Sequence, residues 1–196
     1  LHNASDRFLF HVVSKEAPYP YFFIEKMSKL PYVRLHTTTH DRGTIDSYEQ
    51  VFKTTPVALE ITKPSEQAFK ALATTKDRGG VIMLISKPVG GQEYDNLHFL
   101  KNHDFMPHIK ENELLWHLAK TNSPIDAASL EKSRHWRALL LPEDPSVAAL
   151  FTNWCLKEKL FERMMHYKRL SNAPEVQANG VEQFWTHVTK LVEKAQ

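Results

Sequence analysis

The sequence predicts a mixed α/β core followed by a helical segment, and three observations support this fold class. Residues 81–86, VIMLIS, form a continuous apolar run, which is typical of a strand covered on both faces within a parallel sheet. Apolar residues at helical spacing, three and four positions apart, flank this run. After residue 108, strand-like runs give way to amphipathic helical patterns. We therefore expect an α/β core over residues 1–108 and an all-helical module, of winged-helix or helix-turn-helix type, over residues 109–196.

The first 62 residues are rich in β-branched and aromatic residues, separated by short segments of turn-like composition. The clearest strand is PVALEIT, whereas HDRG has the composition of a turn and TIDSYEQVF alternates only weakly between apolar and polar residues. The predicted elements are strands at 6–14, 32–39, 44–52 and 56–62, one or two helical turns at 24–30, and a turn at 40–43.

The later elements are predicted from capping residues and apolar stripes. Ser65 is a favourable N-cap because its hydroxyl can accept a hydrogen bond from the first helical turn, and Gly79-Gly80 is a typical stop. Ser123 and Pro124 have the composition of another helix start. The strand at 81–86 follows the first of these helices and is expected to be central and parallel. The remaining predicted helices are 111–120, 123–134, 144–170 and an amphipathic helix at 181–192.

Composition limits the classes of function. A net charge of +2 and a pI near 8.6 permit nucleic-acid binding without indicating it. The single cysteine, Cys155, excludes an intrachain disulfide and a Cys-rich zinc site, and we expect it in the core. Six glycines without a phosphate-binding motif argue against a P-loop or dinucleotide enzyme. Because no apolar run approaches the ~20 residues of a membrane span and no signal-peptide pattern is present, we predict a cytoplasmic protein that does not contact a membrane.

Two carboxylates are the main candidates for chemistry. In a strand over 56–62, Leu59 and Ile61 point to one face, and Glu60 shares the other face with Thr62. Asp46 lies fourteen residues before Glu60, on the predicted preceding strand. Neighbouring strands are ~4.8 Å apart, so the two carboxylates would be close enough to share one Mg²⁺ or Mn²⁺. Such an ion can activate water and stabilise a leaving oxygen in phosphodiester cleavage.

The order of these features, in GTIDSYEQVFKTTPVALEITKPSEQAFKALATTKDRGGVIMLIS, resembles a PD-(D/E)xK nuclease core. The following segments, YDNLHFLKNHDFMP and SVAALFTNWCLKEKLFERMMHYKRLSNAPEV, are similar to those of TnsA-like transposon endonucleases, so the resemblance spans about residues 43–176. It implies a restriction-endonuclease-like core and Mg²⁺-dependent DNA strand cleavage, in company with a transposase and an AAA+ regulator. By this resemblance Asp46 and Glu60 hold the metal, Thr62 occupies the position of the family's lysine, and Gln67 opens the helix that borders the site.

Departures from the family pattern favour a rival interpretation. Ile45 stands where the family has proline, and Thr62 replaces the lysine that orients or activates water. Lys63 faces the other side of the strand, so only a lysine such as Lys70 on the next helix could substitute for it. Glu25 is the one candidate for an upstream helix glutamate. The rival is a non-catalytic module that binds protein or nucleic acid within a larger assembly, through its basic helical half or its amphipathic terminal helix.

Histidine-based sites are weaker alternatives. His36, His40 and Asp41 lie close in sequence, and so do His98, His103 and His108, which raises the possibility of zinc. Residues four apart on a strand are ~13 Å apart, however, which is too far for one ion. The pair of segments His36-Thr37-Thr38 and His187-Val188-Thr189 resembles two-histidine phosphoesterases, but the second lies in the amphipathic helix. An NAD-using transferase has only FLFHVVS and LHTTT in its favour.

Overall fold

The computed structural model of the chain describes residues 8–66, 68, 80–85, 87–167 and 180–194. The fold is mixed α/β with parallel strands, which confirms the predicted class at this level. The chain divides into two units, residues 1–56 and 57–196, whereas the sequence placed its boundary at 108/109.

The first unit has the order strand, helix, strand, helix: β1 (Phe10–Lys15), α1 (Tyr21–Ser28), β2 (Val33–Thr38) and α2 (Asp41–Thr54). The two strands pair in parallel, with Phe10 opposite Val33 and Lys15 opposite Thr38, so both predicted strands are confirmed. A parallel pair needs a crossover between its strands, and α1 lies within that crossover.

Helix α2 corrects the sequence prediction, because the turn at 40–43 and the strand at 44–52 are both wrong. The helix begins at Asp41, and the Nδ1 atom of His40 caps it by accepting a hydrogen bond from the Gly43 N–H at 2.9 Å. Tyr48 and Phe52 lie one turn apart with their rings 4.8 Å from each other, and Val51 is buried. The apolar spacing is therefore that of a helix.

The second unit contains a three-stranded parallel sheet in the order β3 (Leu59–Thr62), β4 (Val81–Ile85), β5 (Ala138–Leu141). The prediction that residues 81–86 contain a central parallel strand is confirmed for 81–85. Gly80, just before β4, has a φ of +90°, and a Cβ there would lie 2.3 Å from the Val57 carbonyl oxygen. Only glycine fits this close approach, which lets β4 start beside β3.

Both faces of this sheet are covered by apolar residues. One core packs on Val81, Met83, Leu139 and Leu141, and it takes side chains from α4 (Ile109–Thr121), α6 (Pro145–Lys157) and α7 (Leu160–Met165). The other core packs on Ile82, Leu84, Ala138 and Leu140, and it takes Leu97 and Leu100 from α3 (Gly91–Asn102). Alternate residues of each strand serve alternate cores, which explains why the runs are continuously apolar.

Strand β5 shows that the all-helical prediction for 109–196 is wrong at residues 138–141. Its outer edge is satisfied by two side chains of α4 rather than by another strand. The Asn112 Oδ1 accepts a hydrogen bond from the Leu140 N–H at 3.2 Å, and the Trp116 Nε1–H donates to the Leu140 carbonyl at 2.9 Å. Asn112 is completely buried, and its Nδ2 also donates to the Pro107 carbonyl at 2.8 Å.

The predicted helices are confirmed in part. Helix α4 and the terminal helix α8 (Gly180–Lys194) match their predictions, whereas α5 (Ala127–Lys132) is capped by Asp126 and starts later than expected. The predicted helix 144–170 is interrupted at Lys159, whose φ of +59° separates α6 from α7. The 3₁₀ turn Ser133–His135 precedes β5. Among the helices of the described ranges, none has the length and apolar character needed to cross a membrane.

Candidate functional site

Asp46 does not lie on a strand, which was the premise of its pairing with Glu60. It belongs to α2, and its Oδ1 forms an ion pair with Arg42 Nε at 2.9 Å, one helical turn away. Asp46 is in the first unit and Glu60 in the second. The proposed ligation of one ion by Asp46 and Glu60 therefore stays a prediction that no longer has neighbouring strands to support it.

Glu60 and Thr62 lie on β3 as the sequence predicts. Glu60 is opposite Ile82 and Thr62 is opposite Leu84, so both belong to the side of the sheet covered by α3. Both residues are half-buried. Gln67, the fourth predicted site residue, lies outside the described residues. Ser65 precedes it, and its hydroxyl oxygen accepts from the Ala68 N–H at 3.4 Å, which agrees with the predicted N-cap.

The residues after β3 and β4 are tied together by a carboxylate that the sequence analysis did not select. Glu93, in the first turn of α3, forms an ion pair with Lys63 at 2.7 Å and accepts a hydrogen bond from the Val89 N–H at 2.9 Å. Asn96, one turn later, donates to the Pro64 carbonyl at 3.0 Å. The hydrogen bond from Lys63, followed by that from Val89, lowers the pKa of Glu93 below its ordinary value. A glutamate at the third position of a helix is a usual capping signal, and GGQE contains it.

These contacts give Glu93 a structural role at the carboxyl edge of the sheet. The carboxylate is ionised, largely buried, and bonded at both oxygens to loops that follow neighbouring strands. The sequence predicted that Lys63 would point to the opposite side of β3 from Glu60. Its ammonium group instead pairs with Glu93 on α3, the helix that covers the Glu60 side. Within the described part of the chain, no group of three or more His, Cys, Asp or Glu residues is arranged to hold a metal ion.

The histidines have separate local roles rather than forming the clusters considered from the sequence. His36 contacts His11 on the neighbouring strand, with 3.0 Å between Nδ1 of His11 and Nε2 of His36. His40 caps α2. Burial, followed by the positive charges of His36 and Arg34, lowers the pKa of His11. The two imidazole centres are 5.2 Å apart, and the ring planes are nearly parallel, with 12° between them.

Two further residues considered as functional candidates have structural roles. Glu25, considered as an upstream helix glutamate, forms an ion pair with Lys29 at 2.7 Å on α1. Cys155 is completely buried in α6, and burial raises the pKa of its thiol well above the ordinary value, so the prediction of a core cysteine is confirmed.

A cleft of about 620 Å³ opens on the second unit, between α3, α4 and the turn that follows β5. Leu97, Leu140 and Val147 provide apolar lining, and Trp116 closes one side with its indole N–H already bonded to β5. Lys101 and Lys120 contribute ammonium groups from the last turns of their helices. The cleft was not predictable from the sequence, because its lining comes from α3, α4 and the turn after β5, which no local pattern links.

Helix α8 also exposes apolar side chains on the second unit. Its large apolar residues Val181, Phe184, Trp185, Leu191 and Val192 are between 54 % and 73 % exposed. The sequence predicts these residues as one apolar stripe of the helix, with docking on another chain as a possible role.

No family model matches the chain, and neither a curated protein nor a solved structure matches it.

Proposed function

We propose that the chain is a non-catalytic binding module of a larger assembly and that α8 is the surface with which it binds a partner protein. The observation that carries this proposal is the exposure of five large apolar side chains on that helix, each more than half accessible to water. Large exposed apolar side chains that cluster on a protein surface often mark an interaction site.

The spacing of these residues selects the kind of partner. They recur at i, i+3, i+4, i+10 and i+11 from Val181, so they line one side of the helix, as in helices that dock into an apolar groove. The helix carries two glutamates and two lysines, whose charges cancel. This balance offers little attraction for phosphates or anionic lipids, so the proposed partner is a protein with an apolar groove.

Four cations of the helical half have partners within the chain, which supports a protein partner over a nucleic acid. Lys132 forms an ion pair with Glu111, and Arg134 and Arg163 both contact Glu131. Arg137 is buried, with its guanidinium 5.5 Å from the centre of the Tyr167 ring. These groups have partners within the chain, and DNA binding would have to break such contacts to gain phosphate contacts.

The test compares two double variants in an extract of the source cells. Phe184→Ser with Trp185→Ser removes two apolar side chains of α8, while Glu182→Ala with Lys190→Ala alters only its polar side. We expect one protein to be retained by the wild type and the polar-side control and lost from the apolar-side variant. That protein is then identified by mass spectrometry and purified, and its affinity is measured by calorimetry.

The expected loss of affinity for the Phe184/Trp185 variant is at least about 100-fold, since aromatic hot-spot residues contribute about 2 kcal/mol or more each. Circular dichroism should be unchanged because these side chains are exposed in the free chain. Equal affinity of the purified partner for both double variants would contradict the proposal. Concentration-dependent self-association lost with the same variant would replace the partner protein by a second copy of the chain.

Metal-dependent DNA cleavage, as the endonuclease subunit of a transposition machinery with a transposase and an AAA+ regulator, is the second candidate. The observation that favours it is the half-buried Glu60 on β3, because a carboxylate on a sheet face is a suitable ligand for Mg²⁺ or Mn²⁺. Asp46 would supply the second carboxylate, and Thr62 and Gln67 would border the ion. The ion pair of Asp46 with Arg42 and the threonine at the lysine position weigh against this candidate.

A Mg²⁺ and Mn²⁺ titration followed by thermal unfolding separates the two candidates. A ligand at a hundredfold excess over its Kd stabilises the folded state by about 2.7 kcal/mol. The nuclease candidate requires this stabilisation in the wild type and its loss in Glu60→Ala and Asp46→Ala. Glu49→Ala is the matched control, since Glu49 lies on α2 with Asp46 and is 3.9 Å from Lys53. The binding-module proposal predicts no response in any of the four proteins.

A further inference from the structure

The cleft beside β5 has the position and composition of a ligand site, independently of α8. It lies next to the residues that follow Leu141, the last residue of a parallel strand, and open α/β sheets bind ligands outside the carboxyl ends of their strands. Its volume of about 620 Å³ is within the range of sites for small molecules. Most of its lining is apolar, with a few polar groups at the rim.

The polar groups indicate the charge of the ligand. Lys101 and Lys120 line the cleft, and among the described residues neither ammonium group has an ion-pair partner. Two carboxylates are also present, but Asp144 caps α6 by accepting a hydrogen bond from the Val147 N–H at 2.9 Å. Glu143 is exposed at the rim. The cleft therefore holds two ammonium groups without an ion-pair partner in the described part of the chain, whereas one of its two carboxylates is already hydrogen-bonded as an N-cap.

The aromatic lining indicates the body of the ligand. Trp116 is held in place by its hydrogen bond to the Leu140 carbonyl at 2.9 Å, so its ring is fixed before any ligand arrives. Tyr94 lies on α3 at the same opening. Preorganised aromatic side chains favour flat apolar groups, because little side-chain freedom is lost on binding.

We propose that this cleft binds a small organic anion, which has a flat apolar body and a carboxylate, sulfonate or phosphate group held by Lys101 and Lys120. The body occupies the space over Leu97, Leu140 and Val147, and the anionic group lies at the rim beside the two ammonium groups.

The experiment uses the full chain, labelled with ¹⁵N, and 1-naphthalenesulfonate as the probe, at low ionic strength to limit screening. Amide shifts on titration should be confined to α3, α4 and the turn after β5. Lys101→Glu with Lys120→Glu should weaken binding about tenfold or more. Lys110→Glu with Lys190→Glu is the matched control, because it makes the same charge change at two exposed positions that do not line the cleft.

Three results would overturn the proposal. Shifts located on α1 or α8 would show that the probe binds exposed apolar residues instead of the cleft. An equal loss of affinity in the Lys110/Lys190 control and in the Lys101/Lys120 variant would reduce the effect to overall charge. Equal affinity for uncharged 1-naphthol at neutral pH would remove the anion from the proposal. A folded spectrum for each variant is the condition under which the affinities are compared.

Discussion

Replacing Asn112 by leucine tests how the edge of the parallel sheet is closed. Leucine has a similar size, so the change leaves the packing volume nearly intact and removes only the amide. Two buried backbone groups then lose their partner: the Leu140 N–H, bonded at 3.2 Å, and the Pro107 carbonyl, bonded at 2.8 Å. The His108 carbonyl loses a third, longer contact but still accepts from the Asn112 backbone N–H.

The expected loss in the free energy of unfolding follows from the number of buried backbone groups left unpaired. Each buried unsatisfied donor or acceptor costs about 1–3 kcal/mol, so Asn112→Leu should destabilise the second unit by about 2–6 kcal/mol. Trp116→Phe leaves one buried group, the Leu140 carbonyl, without this donor and also removes part of a packed ring, so it should cost at least about 1–3 kcal/mol. Asn102→Leu, at an exposed position near the end of α3, is the control and should stay within about 0.5 kcal/mol.

Hydrogen exchange gives a local measurement of this effect. Because about 1.4 kcal/mol corresponds to a factor of ten, a loss of 3 kcal/mol should speed exchange of the Leu140 amide by about 100-fold. Urea denaturation of the same variants gives the free energy of unfolding. Unchanged Leu140 exchange in Asn112→Leu would refute the reasoning, because the strand edge would then not depend on the side-chain amide.

Three further predictions concern single residues. Glu93→Gln should lower the free energy of unfolding by about 1–2 kcal/mol at pH 7. The pKa of Glu93 is lower in the folded chain than its ordinary value, so the ionised carboxylate stabilises the fold at pH values above the ordinary pKa. Urea denaturation at decreasing pH should therefore show the difference between wild type and variant shrinking as the carboxylate is protonated. Lys159→Gly should raise the melting temperature, since the left-handed backbone costs a non-glycine residue about 1–2 kcal/mol, whereas Ala149→Gly, at an exposed position inside α6, should lower it. Cys155 should resist alkylation at pH 8 in the folded chain and react fully in urea, and rapid native labelling would contradict its burial.

Strand β4 was predictable because one physical cause determines its sequence. A strand covered on both faces needs apolar residues at every position, and VIMLI has no other simple explanation once helical patterns flank it. The same holds for α8, whose stripe has the helical period over fifteen residues. In both cases the local pattern and the tertiary environment agree.

Helix α2 and strand β5 were missed for different reasons. Histidine is not among the usual N-cap residues, so the start of α2 after His40 gave no recognisable signal, and Gly43 suggested a turn. Strand β5 has only four residues, too few for a period to distinguish a strand from a buried helical segment. Its pairing with β4 depends on residues more than fifty positions away, which local patterns do not contain.

The candidate site was predictable only where it depended on alternation along one strand. Glu60 and Thr62 share a side of β3, as the period of two requires. The partner of Glu60 had to be chosen by guessing a neighbouring strand, and the guess failed when Asp46 proved helical. The His11–His36 pair and the Lys63–Glu93 pair likewise join separate elements, and their spacing in sequence carries no signal.

The distribution of charge and apolar area across the described residues is the reason for proposing binding rather than metal chemistry. A metal site requires carboxylates whose charge is left for the ion, yet Asp46, Glu25 and Glu93 each hold a cation of this chain within 2.9 Å. Releasing such a carboxylate to a metal would require breaking its ion pair first. The exposed side of α8 needs no such exchange, because burying its side chains against a partner releases about 25 cal/mol for each Å² of apolar surface. This difference is the physical basis of the proposed binding role of α8.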